Sequence, residues 1–421
     1  MIVCSATKKL ANLRYLLSLH WTTPAGIRRN CTHMPISMSA PRSLDAFLRS
    51  RKAGARTAKY WCTGNESGDL DSLACAIAFS FLSSAISPKA PEWVPVLQTA
   101  RRDLRLRPEN ELALARLGIA PESLCCVDEL PGLGADANVA LVDHNQATGP
   151  FAAATVRAVL DHHADTGAYA ESDPRVVYSP DDAGSCSSVL TRFFRPQLPD
   201  GMPQPVADLL LSAIEIDTLD FSEKAGRAKQ IDHDARDYLL PHSSFAKGDS
   251  LSAYFAELFH AKNQVSHLTT PELLRRDYKE FSQAGAGGKA NPWRIGVASL
   301  TLSLAEWVQR GAESVRSDLD AFAAERSLDA VVALAGFEDE TGRPRRQLLF
   351  YAPQRAAGAQ KIAEGLEQHR GDRVDLERLD LPVVGERNGS VCVAWEQRDA
   401  GATRKQFAPA LQTVCANVLR P

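Results

Sequence analysis

The segment GNESGDLDS at 64–72 places Asp69 and Asp71 two residues apart in a turn of Gly, Asn and Ser. It lies between the apolar run Tyr60-Trp61-Cys62 and a second apolar stretch from Leu73 to Leu82. Two carboxylates that close in a partly buried turn repel each other unless a cation sits between them. Helix capping is the simpler use, with Asp71 or Ser72 as the N-cap of the following apolar segment. Three further segments tip the balance. LVDHNQ at 141–146 carries Asp143 and His144, and VLDHHAD at 159–165 carries Asp161, His162, His163 and Asp165. LLLSAIEIDTLDF at 209–221 carries Asp217 and Asp220. The whole chain has ten histidines, so a His-His pair beside strand-end aspartates is not a random grouping. Carboxylates and imidazoles delivered by successive strand ends are the donor set of a dinuclear divalent-metal site.

Such a site needs strands that end on one side of a sheet. Short apolar runs at 58–63, 92–98, 124–127, 139–143 and 156–161 read as strands covered on both faces, with helices at 71–86 and 109–117 between them. This alternation predicts a doubly wound parallel-sheet α/β domain over 45–221, with ligands at the carboxyl ends of its strands. The polar stretch 222–250 reads as a linker or connecting helix. A smaller α+β domain follows at 251–421, with a helix over 271–282, strands at 294–300, 328–335, 346–351 and 390–396 in a mixed sheet, and a hairpin turn at Asn388-Gly389. The Gly/Ala run 284–290 reads as a flexible loop.

The 421 residues, 44% apolar and 24% charged, have ordinary globular composition and allow two or three domains. No apolar run reaches the ~18–20 residues of a membrane span. Nine cysteines without CxxC spacing fit the reduced thiols of a cytoplasmic protein rather than a disulfide or zinc framework. Residues 1–44 hold six basic and no acidic residues and resemble a mitochondrial transit peptide; a disordered tail, or a start at Met34 or Met38, is the alternative. Without that leader the net charge is −9, which excludes nucleic-acid binding by overall field and leaves any polyanion to local cations or metals.

The wording "DHH" after a strand, with "DLD" and "VDH" upstream and "IDT" downstream, resembles the four motifs of the DHH phosphoesterase superfamily. GNESGDLDS is similar to its eukaryotic exopolyphosphatase and prune-related branch, over about 45–421. The resemblance implies a metal-dependent phosphoanhydride hydrolase with its site in the cleft between the two domains. It implies that Asn65, Asp69 and Asp143 hold one metal, and that Asp71, Asp143, His162 and Asp217 hold the other, with Asp143 bridging. His163 would face the phosphate and Asp161 would orient His162, with His144 in a similar part or simply flanking. In the second domain LLRRDYKEF matches an Asp-x-Lys element, making Lys279 a phosphate-binding lysine. GATRKQFAP resembles a Ser-Arg-Lys motif with Thr403 in place of the serine, so Arg404 and Lys405 would grip substrate phosphates. Related pyrophosphatases carry histidine at the position of Asn65. An amide oxygen there is the harder ligand, so the expected cofactors are two or more divalent ions, with Mg²⁺ favoured and Mn²⁺ or Co²⁺ accepted.

The expected reaction is attack of a hydroxide shared by two metals on the terminal phosphorus of inorganic polyphosphate. Lys279, Arg404, Lys405 and His163 would stabilise the developing charge. A soluble inorganic pyrophosphatase, or a prune-like hydrolase of short chains and nucleotides, is the alternative. A nuclease of the same superfamily would need a GGGH-like element, and AGAGGKA at 284–290 lacks the histidine. A catalytically silent binding protein would have lost a metal aspartate, and none is lost. Two readings stand for the arginines of ARRDLRLRPE at 100–109, a path for a long polyanion or a solvated basic loop. GSCSSVL at 184–190 offers either an anion site at a helix N-terminus or a plain cap. GLGADA at 132–137 precedes a strand rather than a helix, which excludes a dinucleotide loop.

Overall fold

A computed structural model describes residues 43–87, 89–130, 132–133, 136–248, 250–283 and 292–418. The expectations for the leader up to residue 42 and for the run 284–290 lie outside these residues. The first lobe runs α1 (Leu44–Gly54), β1 (Tyr60–Thr63), α2 (Leu70–Ile86), β2 (Val94–Leu97), a 3₁₀ turn (Arg101–Leu106), α3 (Pro108–Arg116), β3 (Cys125–Cys126), β4 (Asn138–Val142), β5 (Thr155–Asp161), β6 (Arg175–Val177), α4 (Cys186–Phe194) and α5 (Gln204–Thr218). Its six strands are all parallel, in the order β3-β2-β1-β4-β5-β6. β1, β4 and β5 are therefore neighbours, and their carboxyl ends share one edge. Both faces of this sheet are covered: β4 is buried at every position. Helix α2 buries Leu73, Ala74, Ile77, Ala78 and Leu82 in the same core as Leu210 and Ile214 of α5.

The stretch 222–250, expected as a linker or connecting helix, holds a helix, α6 (Gln230–Leu239), which buries Ile231, Ala235 and Leu239. Its Asp232 carboxylate accepts from the backbone N–H groups of Gly184, Ser185 and Lys229, fixing it to the start of α4. Helix α7 (Leu251–Asn263), expected in the second domain, buries Leu251, Tyr254 and Leu258 in the first lobe's core.

The second lobe continues with α8 (Thr270–Arg276), β7 (Tyr278–Gln283), β8 (Trp293–Leu300), α9 (Leu304–Val308), α10 (Ala312–Arg326), β9 (Ala330–Glu338), β10 (Pro344–Ala352), α11 (Ala356–Gln368), β11 (Leu376–Arg378), β12 (Gly385–Arg387), β13 (Ser390–Gln397) and α12 (Arg404–Val418). Its sheet runs β11-β13-β10-β9-β8-β7, with β12 against β13, and is mixed because only β8 and β9 pair in parallel. Asn388 and Gly389, at φ 50° and 81°, make the hairpin turn expected of that dipeptide. The helix expected over 271–282 stops at Arg276, and Lys279 stands on edge strand β7. The apolar spacing Leu274, Tyr278, Phe281 imitates a helix, but the backbone beyond Asp277 pairs with β8 instead. The lobes belong to one compact unit, Ala40–Pro421, and Arg276 of α8 is buried against Glu109 of α3 at 3.2 Å.

Candidate metal centre

The acidic turn is built by close packing. A Cβ on Gly64 would come within 2.5 Å of the Ser72 Cβ, so the chain turns there without a side chain. Asp69, rather than Asp71 or Ser72, is the N-cap of α2, its carboxylate accepting from the Ser72 N–H at 3.0 Å. Asp71 lies in the first turn and reaches the N-terminus of α4. There it accepts from Cys186 N at 2.7 Å, Ser187 N at 2.9 Å and Ser187 Oγ at 2.6 Å. The anion site read in GSCSSVL is thus filled by the protein's own carboxylate, which locks Asp71 in place.

Asp143 follows β4 at φ 60°, a left-handed backbone that aspartate tolerates better than most residues. Its Oδ2 accepts from Ser72 Oγ at 2.6 Å and from Asn65 Nδ2 at 2.7 Å. Its Oδ1 is buried without a hydrogen-bond partner and lies 3.2 Å from His162 Nε2, which is itself 3.9 Å from Asp71. Asn65, expected as a metal ligand, engages its amide inside the protein. Besides Asp143 it takes hydrogen bonds on Oδ1 from Ser67 N at 2.9 Å and Ser67 Oγ at 2.6 Å. Asn65 and Ser72 therefore form a brace that aims Asp143. Asp217, in the last turn of α5, also has a buried carboxylate oxygen without a hydrogen-bond partner among the described residues.

The electrostatics of this cluster ask for a cation. Burial, and then the charges of Asp69 and Asp71, push Asp143 up to about 7. Burial and the same two aspartates raise Asp217 well above the carboxylate range. Donor atoms of Asp143, His162 and His163 lie within 4.8 Å of one another, close enough to share an ion. Orphaned carboxylate oxygens that repel their neighbours fit divalent metal.

A stability measurement follows from this. Asp143's folded pKa lies above its unfolded value, so in metal-free protein it adds stability that is complete below about pH 4 and lost as pH rises through about 7. A bound cation replaces that proton. The rise in Tm on adding Mg²⁺ or Mn²⁺ to chelator-treated protein is expected to grow from pH 5.5 to pH 8. A gain that stays flat with pH would show that these carboxylates do not exchange protons for metal.

The histidines depart from expectation in one respect. Asp161 orients His163, whose Nδ1 lies 2.8 Å from its Oδ1; the ring of His162 is instead directed by the Ala183 carbonyl at 3.3 Å. In the extended chain leaving β5, residues two apart share a face, and that period could have assigned the pair. Asp161 is fixed in turn by Asn145 Nδ2 at 2.6 Å. Burial, with Lys405 and His162 nearby, pushes His163 down to about 3, so its ring is neutral. His144 places Nδ1 2.9 Å from the Val142 carbonyl, and its Nε2 is buried without a hydrogen-bond partner.

The expected cations face the cluster from the second lobe. Lys405 Nζ stands 3.5 Å from His162 Nε2. Lys279 is half-buried and makes no hydrogen bond or ion pair among the described residues; burial, then Arg404, lowers its pKa, against the pull of Asp143, Glu66 and Asp277. Arg404 is engaged by Asp277, with its Nη2 2.7 Å from the carboxylate. Burial alone would raise Asp277, but Arg404 and Arg107 hold it well below the carboxylate range. Thr403 caps the start of α12, its hydroxyl 3.0 Å from Gln406 Oε1. Asn145 is the part that sequence reasoning left unassigned; it saw Ser72 only as an N-cap candidate, Arg107 only within a basic segment and Asp277 only within the Asp-x-Lys element. Arg107 donates to the Ser67 carbonyl and, with the Ser72 N–H, outweighs burial to hold Asp69 below its ordinary pKa.

Residues 59–214 match the DHH family N-terminal domain, and residues 256–414 match the DHHA2 domain. Exopolyphosphatase PRUNE1 of Rattus norvegicus is 29% identical over 375 residues, 88% of this chain and 78% of that protein. A Deinococcus radiodurans protein named as a manganese-dependent inorganic pyrophosphatase is 27% identical over 284 residues, 66% of this chain and 84% of its own. A solved Methanococcus jannaschii structure of the family II inorganic pyrophosphatase type covers 84% of this chain and 99% of its own at TM-score 0.56 and 19% identity, a likeness of fold. The chain belongs to the DHH superfamily, in its prune-related exopolyphosphatase branch.

Proposed function

We propose that this protein is an exopolyphosphatase, hydrolysing the terminal phosphoanhydride bond of inorganic polyphosphate and releasing orthophosphate. One observation carries the reading: cations of the second lobe stand over a buried carboxylate–imidazole cluster of the first, with Lys405 3.5 Å from His162. Asn65, Asp69, Asp71, Asp143, His162 and Asp217 would hold divalent cations, with Asn65 also bracing Asp143. When bound, such ions supply Lewis acidity and lower the pKa of water. Lys279, Lys405 and Arg404 would neutralise charge growing on the phosphoryl oxygens, Arg404 from a position set by Asp277. His163 gives its Nδ1–H to Asp161 and so presents Nε2 as a neutral lone pair, able to accept a hydrogen bond from the attacking water, whose proton ends on the leaving phosphate oxygen. A new P–O bond to water forms as the bridging P–O bond breaks.

The donor set is mostly carboxylate oxygen, a hard set that favours Mg²⁺ at least as well as Mn²⁺ or Co²⁺. The net charge of −9 outside the leader supports a substrate held locally, not nucleic acid. The acid-free leader supports mitochondrial delivery as an addition to a cytoplasmic pool. No helix among the described residues is long and apolar enough to cross a membrane. Phosphate release measured on long polyphosphate, tripolyphosphate, pyrophosphate and a dinucleotide, each with Mg²⁺ and with Mn²⁺, tests the reading. Turnover is expected to be highest on polyphosphate and at least as fast with Mg²⁺. Release from pyrophosphate alone would make the protein a pyrophosphatase, the activity in the name of its Deinococcus radiodurans relative.

A further inference from the structure

A buried charge network crosses from the acidic turn of the first lobe to Arg404 of the second. Its centre is Arg107, the residue before α3, whose guanidinium donates to the Ser67 carbonyl. On one side the Ser67 hydroxyl reaches Asp69 Oδ2 at 3.2 Å, and the Arg107 charge is the largest counterweight to the burial of Asp69. On the other side Arg107 faces Glu109 at 3.4 Å and Asp277 of the second lobe at 4.0 Å. Asp277 in turn pairs with Arg404 at 2.7 Å, and both arginines address the same carboxylate oxygen, Oδ1. Arg276 closes the network by pairing with Glu109 at 3.2 Å.

The members differ in how firmly they are held. Arg276 is fully engaged: besides Glu109 it donates to the carbonyls of Leu106 at 2.7 Å and Lys262 at 2.6 Å. Arg107 has one short bond, to Ser67, although a guanidinium offers five donors and this residue is only 4% exposed. The network is also unbalanced. Arg107, Arg276 and Arg404 share two internal carboxylates, Glu109 and Asp277. The remaining positive charge is answered by Asp69 at one end, and by any anion that reaches Arg404 at the other. In a low-dielectric interior a loosely held cation responds strongly to a change in its neighbours' charge.

We propose that Arg107 is a positioning residue that relays charge between the lobes, so that metal loading at Asp69 and phosphate capture by Arg404 favour each other. The inference rests on the metal and phosphate roles proposed above. When Asp69 is neutralised, Arg107 is drawn toward Asp277, and Asp277 holds Arg404 less tightly. Arg404 is then free for a phosphate oxygen. The reverse follows by linkage: with Arg404 on a phosphate, Asp277 is left to Arg107, and Asp69 is released to a cation. Asp277 thus has two discrete pairings, with Arg404 or with Arg107, and a two-state element of this kind is what coupling between sites requires.

The test is a double-mutant cycle read as the Mn²⁺ affinity of chelator-treated protein by calorimetry, without substrate. Asp277→Asn removes a charge in the second lobe that is none of the proposed metal ligands. It leaves Arg107 wholly to Asp69, so Mn²⁺ affinity is expected to fall about fivefold, the low end of coupling between linked sites. In an Arg107→Gln background, with no charge to redistribute, the same substitution should change affinity by less than about twofold. Equal falls in both backgrounds would mean a field acting through space, or an Arg107 that only lowers Tm, and would overturn the relay. An unchanged affinity in Asp277→Asn itself would overturn it too. Should Arg107→Gln fail to fold, Arg107→Lys decides in its place. It keeps the charge, but its single ammonium lacks the fork that serves Ser67 and Asp277 together, so the fall should again shrink, and an equal fall overturns the relay. Wild-type protein that cuts only pyrophosphate would remove the polyphosphate reading and leave the outcome of this cycle intact, because it reads metal affinity alone.

Discussion

Asp143→Asn is expected to lower hydrolysis by more than about 10³-fold, beyond the ~10–100-fold loss typical of groups that only orient ligands. It should abolish metal occupancy in the same step. Asparagine suits the test better than alanine. Position 143 sits at φ 60°, where asparagine is tolerated, and an amide can still accept from Asn65 and Ser72. Alanine would leave both donors buried without an acceptor. The variant also has a readout independent of turnover. Asp143 is crowded by Asp69 and Asp71, so a neutral side chain relieves repulsion when no metal is present. Chelator-treated Asp143→Asn should therefore melt above chelator-treated wild type at pH 8, and should gain nothing from Mg²⁺. Wild-type turnover, or an undiminished rise of Tm with Mg²⁺, would remove Asp143 from the centre of the site.

The parts of this site that could be read in the sequence are those written locally. Asp69, Asp143 and His162 each follow a strand, and parallel pairing of β1, β4 and β5 brings them together. What was not legible is where each side chain finds its partner. Asp71 meets the α4 N-terminus 115 residues away, and Asn65 meets Asp143 across 78. Nothing near Asn65 distinguishes a ligand from a brace. Lys279 was placed on a helix because apolar residues at 274, 278 and 281 satisfy a helical period, while the hydrogen bonds that make it a strand come from β8. Helix α6 was left open, as linker or connecting helix, for the opposite reason. Its buried face is only Ile231, Ala235 and Leu239 among charged residues, and it is secured by Asp232 gripping a distant backbone. The Asp161–His163 pair was within reach, since residues two apart in an extended chain share a face.

Lys279→Ala is expected to cut kcat/KM by about 10²–10³-fold, the cost of removing one preorganised charge from a developing anion. Metal binding should be unaffected. The position explains the size. Lys279 is a half-buried cation with no carboxylate of its own, held by edge strand β7 beside Arg404 and near Asp143. A desolvated, unpaired charge is stabilised by whatever anion arrives, and on the proposed function that anion would be the substrate phosphate. Burial and Arg404 lower its pKa, so the ammonium is lost at a lower pH than for an ordinary lysine. Wild-type kcat/KM should consequently fall as pH rises through that lowered value. Lys279→Arg keeps its charge throughout this range, so its alkaline fall should move upward while activity is partly restored. An alanine variant within about threefold of wild type, or an alkaline limb identical in wild type and Lys279→Arg, would show that the phosphate does not rest on this strand.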